Sequence, residues 1–261
     1  MFFMVKGLYT AYTGMVNEQR RMDVLTNNLA NADTTGFKKE GASSQSFDSV
    51  LTYKIKDFTE GDRLAKRLGR NHPGVKIGEG YTDFSQGPLK HTENTFDLAL
   101  TDAGFFAVEF TSKSGETSVK YTRDGDFTLT QDGRLVTRDG DAVLDESGSP
   151  IKIDPLQKAE INTKGEIVQN GRVVAAIQVT DFENYDYLVR YGENYFEAAE
   201  GAGEKEPAAE VYSGYLESSN ISVVTEMVNM ITVSRAYESN QKVITTYDST
   251  LDIAANQLGK I

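Results

Sequence analysis

Apolar residues return at every seventh position at both ends of the chain. Near the start the set is Met1, Leu8, Met15, Met22 and Leu29. Interleaved with it runs Met4, Ala11, Glu18 and Leu25, apolar except for Glu18. Alternating steps of three and four put both sets on one narrow stripe of an α-helix. No proline interrupts the run. The helix is expected to end near Asn31, where Asn-Ala-Asp-Thr-Thr-Gly (Asn31 to Gly36) gathers helix-stopping and turn-forming residues. At the far end Val223, Met230, Tyr237, Ile244, Leu251 and Leu258 keep the same spacing. The companion set there is Met227, Ser234, Gln241, Asp248 and Ala255, polar in its middle members. One seam is therefore apolar throughout and the other only at its ends. Asn220 is the expected N-cap, since its short side chain can accept from a free N–H of the first turn. From Ile221 to Leu258 such a helix would run ~57 Å at ~1.5 Å per residue. Two stripe-bearing helices are built to pack side by side, which points to self-association.

The middle follows a different rhythm. From Phe96 to Val179 short β segments alternate with Gly-containing turns. Strands are expected at Phe105 to Phe110, Val119 to Thr122, Phe127 to Thr130 and Leu135 to Thr137. Further strands are expected at Ile151 to Ile153, Ala159 to Asn162, Ile167 to Gln169 and Val173 to Asp181. Ser114-Gly-Glu116, Gln131-Asp-Gly133 and two copies of Arg-Asp-Gly-Asp (Arg123 to Asp126, Arg138 to Asp141) supply turns, because Asp-Gly takes the positive φ of tight hairpins. No β-α alternation appears. The expected class is α+β: a discontinuous helical domain of N- and C-terminal amphipathic coiled-coil helices (1–35 and 215–261), a connector or extension (36–81), and a central antiparallel β-rich domain (82–214).

Length and charge narrow the function. A chain of 261 residues, 39% of them hydrophobic, suffices for one large domain or two smaller ones. Its net charge of −12 makes it a poor partner for phosphate backbones, so nucleic acid is not expected. The charge is uneven. Lys54 to Lys76 holds seven Lys/Arg against three Asp/Glu, about +4. Glu183 to Glu210, read as an acidic linker, holds eight Asp/Glu against two Lys/Arg, about −6, and its stretch Ala198 to Ala209 is expected to be flexible. These segments are either simply solvated or meet between subunits. There is no cysteine, which removes disulfides, zinc thiolates and cysteine nucleophiles. No run of 18 apolar residues is present, so no membrane insertion is expected. No basic stretch precedes the apolar start, so a cleaved secretory signal is not expected.

Candidate chemistry is sparse. The two histidines, His72 and His91, sit in loop-like sequence with no partner spaced as a metal ligand or triad member. No phosphate-binding glycine loop occurs. The Asp-Gly-Asp turns lack the twelve-residue calcium loop with its closing Glu. Nothing singles out a carboxylate pair for glycoside cleavage. No catalytic residue, metal or cofactor is assigned, and the chain is expected not to be an enzyme.

Several stretches carry a resemblance. Leu25-Thr-Asn-Asn-Leu-Ala-Asn-Ala-Asp-Thr-Thr-Gly-Phe-Lys38, with Asn27, Asn28, Ala30, Asn31, Thr35, Gly36 and Phe37 at its centre, closely resembles the N-terminal signature of flagellar rod and hook axial proteins. Gly214-Tyr-Leu-Glu-Ser-Ser-Asn220, Val224 to Ile231 and Arg235-Ala-Tyr-Glu238 resemble that family's C-terminal signature. Asp83-Phe-Ser-Gln-Gly-Pro-Leu89, Phe96 to Leu100, Gly104-Phe-Phe106 and Tyr121 to Phe127 resemble its centre. The resemblance covers essentially the whole chain. It implies a structural subunit of the flagellar basal-body rod, assembling through its terminal helices into a helical tube that transmits torque from motor to hook. It further implies export by the flagellar type III apparatus without signal cleavage, and partners among the other axial proteins. Length and central motifs resemble the rod proteins, the distal type before the proximal. A hook-type axial protein, a coiled-coil adhesin or binding module, and a β-rich enzyme on helical arms are the rival readings. Ser234, Gln241 and Asp248 would then face polar partners or the tube's channel, or else only solvent.

Overall fold

The computed structural model describes residues 2–54, 66–112 and 115–256, and of residues 2–5, 50–54, 66–69 and 71 the backbone alone. The chain divides into two units, each discontinuous in sequence. The first comprises Met1–Leu29, Glu40–Thr82 and Val223–Ile261. The second comprises Ala30–Lys39 and Asp83–Ser222.

In the first unit helix α1 runs Phe2–Ala30, ending where the turn-forming run begins. Four strands follow, β1 (Lys39–Ser46), β2 (Val50–Lys54), β3 (Lys66–Asn71) and β4 (Val75–Asp83), within the span expected as a connector. β1 pairs with β4, and β2 pairs with β3. Residues 55–65 of that span lie outside the described residues. Helix α2 runs Val223–Asn256, so Leu258 also lies outside them.

The two helices touch through small residues. A Cβ on Gly7 would meet the Tyr247 ring, and one on Gly14 would lie 3.0 Å from Asn240 Nδ2. Position rises on α1 as it falls on α2, so the pair is antiparallel. Carried two heptads further, this register sets Asn28 opposite Glu226, and both are completely buried. The seam of α2 therefore runs Glu226, Met230, Val233, Tyr237, Asn240, Ile244 and Tyr247. Met230, Tyr237 and Ile244 are half-buried. The second row is one residue earlier than expected: Met227, Gln241, Asp248 and Ala255 are exposed, and Ser234 is half-buried. On a helix the neighbours at i+3 and i+4 share a face, and the glycines of α1 select the row carrying Asn240 and Tyr247. Replacing Gly14 with Leu would force the helices apart at Asn240, costing ~1–3 kcal/mol as overpacking does. Amide exchange along the middle of α2 is expected to speed up about tenfold or more, with the β-rich unit unchanged.

The second unit is built from antiparallel strands. In order they are β5 (Leu89–His91), β6 (Leu98–Leu100), β7 (Phe105–Thr111), β8 (Thr117–Thr122), β9 (Phe127–Leu129), β10 (Leu135–Thr137) and β11 (Ala142–Val143). Next come β12 (Ala159–Ile161), β13 (Glu166–Gln169), β14 (Arg172–Ala176), β15 (Val179–Phe182) and β16 (Leu188–Tyr191). The last are β17 (Tyr195–Ala198), β18 (Glu204–Lys205), β19 (Val211–Ser213) and β20 (Tyr215–Glu217). The main sheet has the order β16-β17-β8-β7-β11-β10-β9, with β15 also paired to β7 and β18 to β15. β12, β13 and β14 form a separate sheet, β19 pairs with β6 and β20 with β5.

β7 explains why an unbroken apolar run sits at the centre. Successive side chains of a strand face opposite ways. Phe106 and Val108 enter one cluster with Phe127, Leu135, Val143 and Ile167. Phe105 and Ala107 enter another with Tyr121, Leu144, Phe182 and Phe196. Both faces of the strand are covered, so both sets of positions are apolar.

Three expectations need correction. Ile151 to Ile153 is no strand: the segment makes isolated bridges at Pro150 and Lys152, and its two isoleucines plug the first core cluster. Val173 to Asp181 is two strands, because β14 pairs with β13 whereas β15 leaves to pair with β7. Ala198 to Ala209 is anchored, with Ala202 buried in the second cluster. The acidic stretch 183–210 also carries β16 and β17 of the main sheet.

Candidate functional site

Four of the segments that carry the family resemblance, 31–38, 83–89, 121–127 and 214–220, converge on one buried cluster in the β-rich unit. The turn after α1 is built by Thr34 N donating to the Asn31 carbonyl at 3.2 Å and Phe37 N to the Thr34 carbonyl at 3.4 Å. Gly36 has φ 67°, and its N–H donates to the Glu217 carbonyl at 2.8 Å. A Cβ there would overlap the backbone of Arg123 and Asp124. Thr35 Oγ1 donates to Asp124 Oδ1 at 2.7 Å, and Asn194 Nδ2 donates to the Thr35 carbonyl at 3.2 Å. Phe37 is buried beneath the Arg190 guanidinium, 4.1 Å from the ring centre, a cation–π contact.

Next to Phe37 the Lys38 ammonium is buried. It donates to Glu217 Oε1 at 2.6 Å and to the Ser85 carbonyl at 2.8 Å. Glu217 Oε1 also accepts from Gly87 N at 2.9 Å, and Arg123 Nη1 reaches Glu217 Oε2 at 3.4 Å. The exposure of the three charged side chains is 1% for Lys38, 1% for Glu217 and 4% for Arg123. Two cations thus share one carboxylate away from water. Burial holds the Lys38 and Arg123 pKa values below their ordinary ranges, and Glu217 opposes that shift in both. Gly87 belongs to this contact, since a Cβ there would overlap the Ser218 carbonyl.

Asn220 sits beside the cluster and is not the cap of α2. Its Oδ1 accepts from Lys39 N at 2.8 Å, and its Nδ2 donates to the carbonyls of Asp83 at 2.8 Å and Ser85 at 3.1 Å. The helix starts three residues later. The side chain that a free helix end would use is spent on joining three backbone segments.

The expected site residues divide into two groups. Leu8, Met15, Met22 and Leu29 are half-buried on α1, and Val223 and Leu251 are exposed on α2. Asn28 bridges α1 to β1, donating to the Glu40 carbonyl at 2.8 Å and accepting from its N–H at 3.0 Å. Asn31, Gly36 and Phe37 are buried, Thr35 is half-buried, and Asn27 and Ala30 are exposed. Lys38, Arg123, Asp124, Arg190, Asn194 and Glu217 were not singled out. Lys38, Arg123, Asp124 and Glu217 lie inside the resembling motifs, which was the available signal. Arg190 is one of only two cations in the acidic stretch. His72 and His91 have unrelated surroundings: His72 Nδ1 lies 3.3 Å from the Phe47 carbonyl, and the His91 ring stacks against Tyr215 at 4.8 Å.

Asp124 gives the cluster a pH dependence. Burial is the main cause that lifts its carboxyl above the usual carboxylate range, against the bonds from Thr35 and Asn194. The folded state therefore holds the proton more tightly than the unfolded chain. The associated stability is present at low pH and is lost as pH rises from 3.8 through the raised folded value. Asp124→Asn removes that loss at the cost of a pH-independent weakening of one hydrogen bond. The stability difference between variant and wild type should shift in favour of the variant between pH 3.8 and neutrality. Urea midpoints at the two ends of that range test this; parallel pH curves would count against it.

Comparison with known proteins follows the same segments. Residues 8–38 match a family model described as flagella basal body rod protein. Residues 99–175 match the flagellar hook protein FlgE/F/G D1 domain, and residues 212–258 match the flagellar basal body rod FlgEFG protein C-terminal model. The chain is 32% identical to the flagellar hook-basal body complex protein FlhO of Bacillus subtilis, over 99% of this chain and 100% of that protein. It is 34% identical to the flagellar basal-body rod protein FlgF of Caulobacter vibrioides, over 99% of this chain and 100% of the relative. It is 31% identical to the flagellar basal-body rod protein FlgG of Buchnera aphidicola, over 95% of this chain and 98% of the relative.

Proposed function

The chain belongs to the flagellar basal-body rod family and is a structural subunit of that rod, and from that premise we propose that α1 and α2 assemble it into a helical tube that transmits torque from motor to hook. The observation that carries this reading is an apolar face left without cover. Val224, Met227, Val228 and Ile231 are 73%, 49%, 58% and 53% exposed. They stand at i, i+3, i+4 and i+7, the spacing by which an amphipathic helix offers one face to a partner. A patch of this kind on a soluble chain marks an interaction surface. Its neighbours are further copies of this chain and other axial proteins of the rod and hook. Of the heptad residues of α2, Val223 and Leu251 are exposed and offered to neighbours, whereas Met230, Tyr237 and Ile244 lie on the seam with α1. Gln241 and Asp248, exposed away from the α1 seam, face polar neighbours or the channel. The chain does no catalysis, and it reaches the rod through the flagellar export apparatus without cleavage.

Sedimentation and electron microscopy test the assembly. A monomer when dilute and tubes when concentrated are expected; a small closed oligomer at every concentration would refute it. Within the rod we place the chain at the distal end. Basal bodies from a strain lacking the chain should then carry a rod that begins normally and stops short of the hook. Basal bodies with no rod at all would move the chain to the proximal end.

A further inference from the structure

The first unit holds a half-open groove of about 200 Å³ between α1 and the start of β4. Its lining includes Tyr12, Val16, Phe47 and Ile77 together with two cations, Arg20 and Lys76. Both cations are exposed, and neither makes an ion pair or hydrogen bond among the described residues. The size decides what fits. Small-molecule sites run from ~300 Å³ upward, so this groove suits protein side chains. Its chemistry asks for apolar anchors flanked by carboxylates.

The chain carries such a segment on its other unit. β16 is the outermost strand of the main sheet, paired on one side by β17. Val189 and Tyr191 point to one face of it and are 56% and 41% exposed. Asp186 and Glu193 flank the strand, both exposed, and their carboxylates make no ion pair or hydrogen bond among the described residues. Lys120 lies over the Tyr191 ring at 4.4 Å and is already paired with Glu197 at 2.6 Å. The strand lies within the stretch that carries about −6 of charge.

We propose that the groove of one copy takes the β16 edge of a second copy, with Val189 and Tyr191 entering it and Asp186 and Glu193 facing Arg20 and Lys76. The two surfaces are different patches, so the contact is heterologous and propagates without closing on a dimer. This rests on the assembly reading above and assigns one of its interfaces. It also gives the uneven charge of the chain a use, since unlike charges on separate patches steer copies into register and exclude other pairings.

Charge reversal on the full chain tests it. Arg20→Glu with Lys76→Glu, and separately Asp186→Lys with Glu193→Lys, should each raise the concentration needed for assembly about tenfold or more, as like charges meet in the contact. The variant with all four changes restores opposite charges and should assemble close to the wild-type concentration. All four positions are exposed, and circular dichroism of the monomers checks that each variant folds as the wild type does. Reversed pairs that assemble like wild type, or a fourfold variant no better than either pair, would overturn the contact while leaving tube formation intact. A wild type that stays monomeric at every concentration overturns the assembly reading and this contact with it.

Discussion

Replacing Glu217 with Ala should cost the β-rich unit ~3–5 kcal/mol, the usual loss when one partner of a buried ion pair is removed. The reason is electrostatic. Lys38 and Arg123 would remain in a site where they are almost wholly screened from water, with their shared counter-charge gone. The Gly87 N–H and Lys38 would also lose a common acceptor, Glu217 Oε1. For a unit of this size the loss corresponds to a fall in Tm of ~6–20 °C, at ~2–4 °C per kcal/mol. A second variant separates charge from packing. Changing Lys38, Arg123 and Glu217 together to Met, Leu and Leu removes all three ions and should be far less harmful than the single change, because burying ions is itself costly. Thermal unfolding followed by circular dichroism reads both. A single variant as stable as wild type would mean that water enters the cluster and the ions are not truly buried.

Gly36→Ala is expected to be nearly as damaging through the backbone alone. An L-residue at its φ of 67° costs ~1–2 kcal/mol. The added methyl would also collide with the peptide joining Arg123 to Asp124, which no rotamer change relieves. The turn must then move, and with it the Gly36 N–H to Glu217 carbonyl bond and the burial of Phe37. We expect a total loss of more than ~3 kcal/mol, and a faster proteolytic cut near 31–39 than in wild type. Gly140→Ala is the control, because its φ is 96° but nothing lies within 4 Å of its Cβ. It should lose only the conformational part. Equal losses for the two variants would show that the collision at Gly36 is relieved by the surroundings.

The buried cluster was half legible. Its members Gly36 and Phe37 stood out as parts of a recognisable motif, and Lys38 ends the same motif. Nothing local marks Lys38 as buried, since a lysine after a turn is ordinarily solvated. Its partner Glu217 lies 179 positions away, and only folding brings the two together. The two Arg-Asp-Gly-Asp segments make the same point. The second joins β10 to β11 as a true hairpin, with Thr137 N donating to the Asp141 carbonyl at 2.9 Å. The first joins strands that do not pair with each other: β8 lies between β7 and β17, and β9 pairs with β10. There Gly125 has no positive φ and serves close approach instead, accepting from Leu98 N through its carbonyl at 2.9 Å. Identical residues form a surface turn in one place and the wall of a buried charge site in the other.

The two terminal helices mark where local pattern suffices. A seven-residue repeat of apolar side chains acts within a few residues, so it determined that both ends of this chain are helical and carry a stripe. The run Phe105 to Phe110 determined a buried strand for the same reason. Which residues of the stripe face inward was settled by tertiary contact. Neighbours at i+3 and i+4 are equivalent on an isolated helix, and Gly7 and Gly14 of α1 broke the tie in favour of Asn240 and Tyr247. Likewise, periodicity cannot say that Glu217, Lys38 and Arg123 share one dry site, because that pairing depends on distances the chain acquires only when its ends and its centre meet.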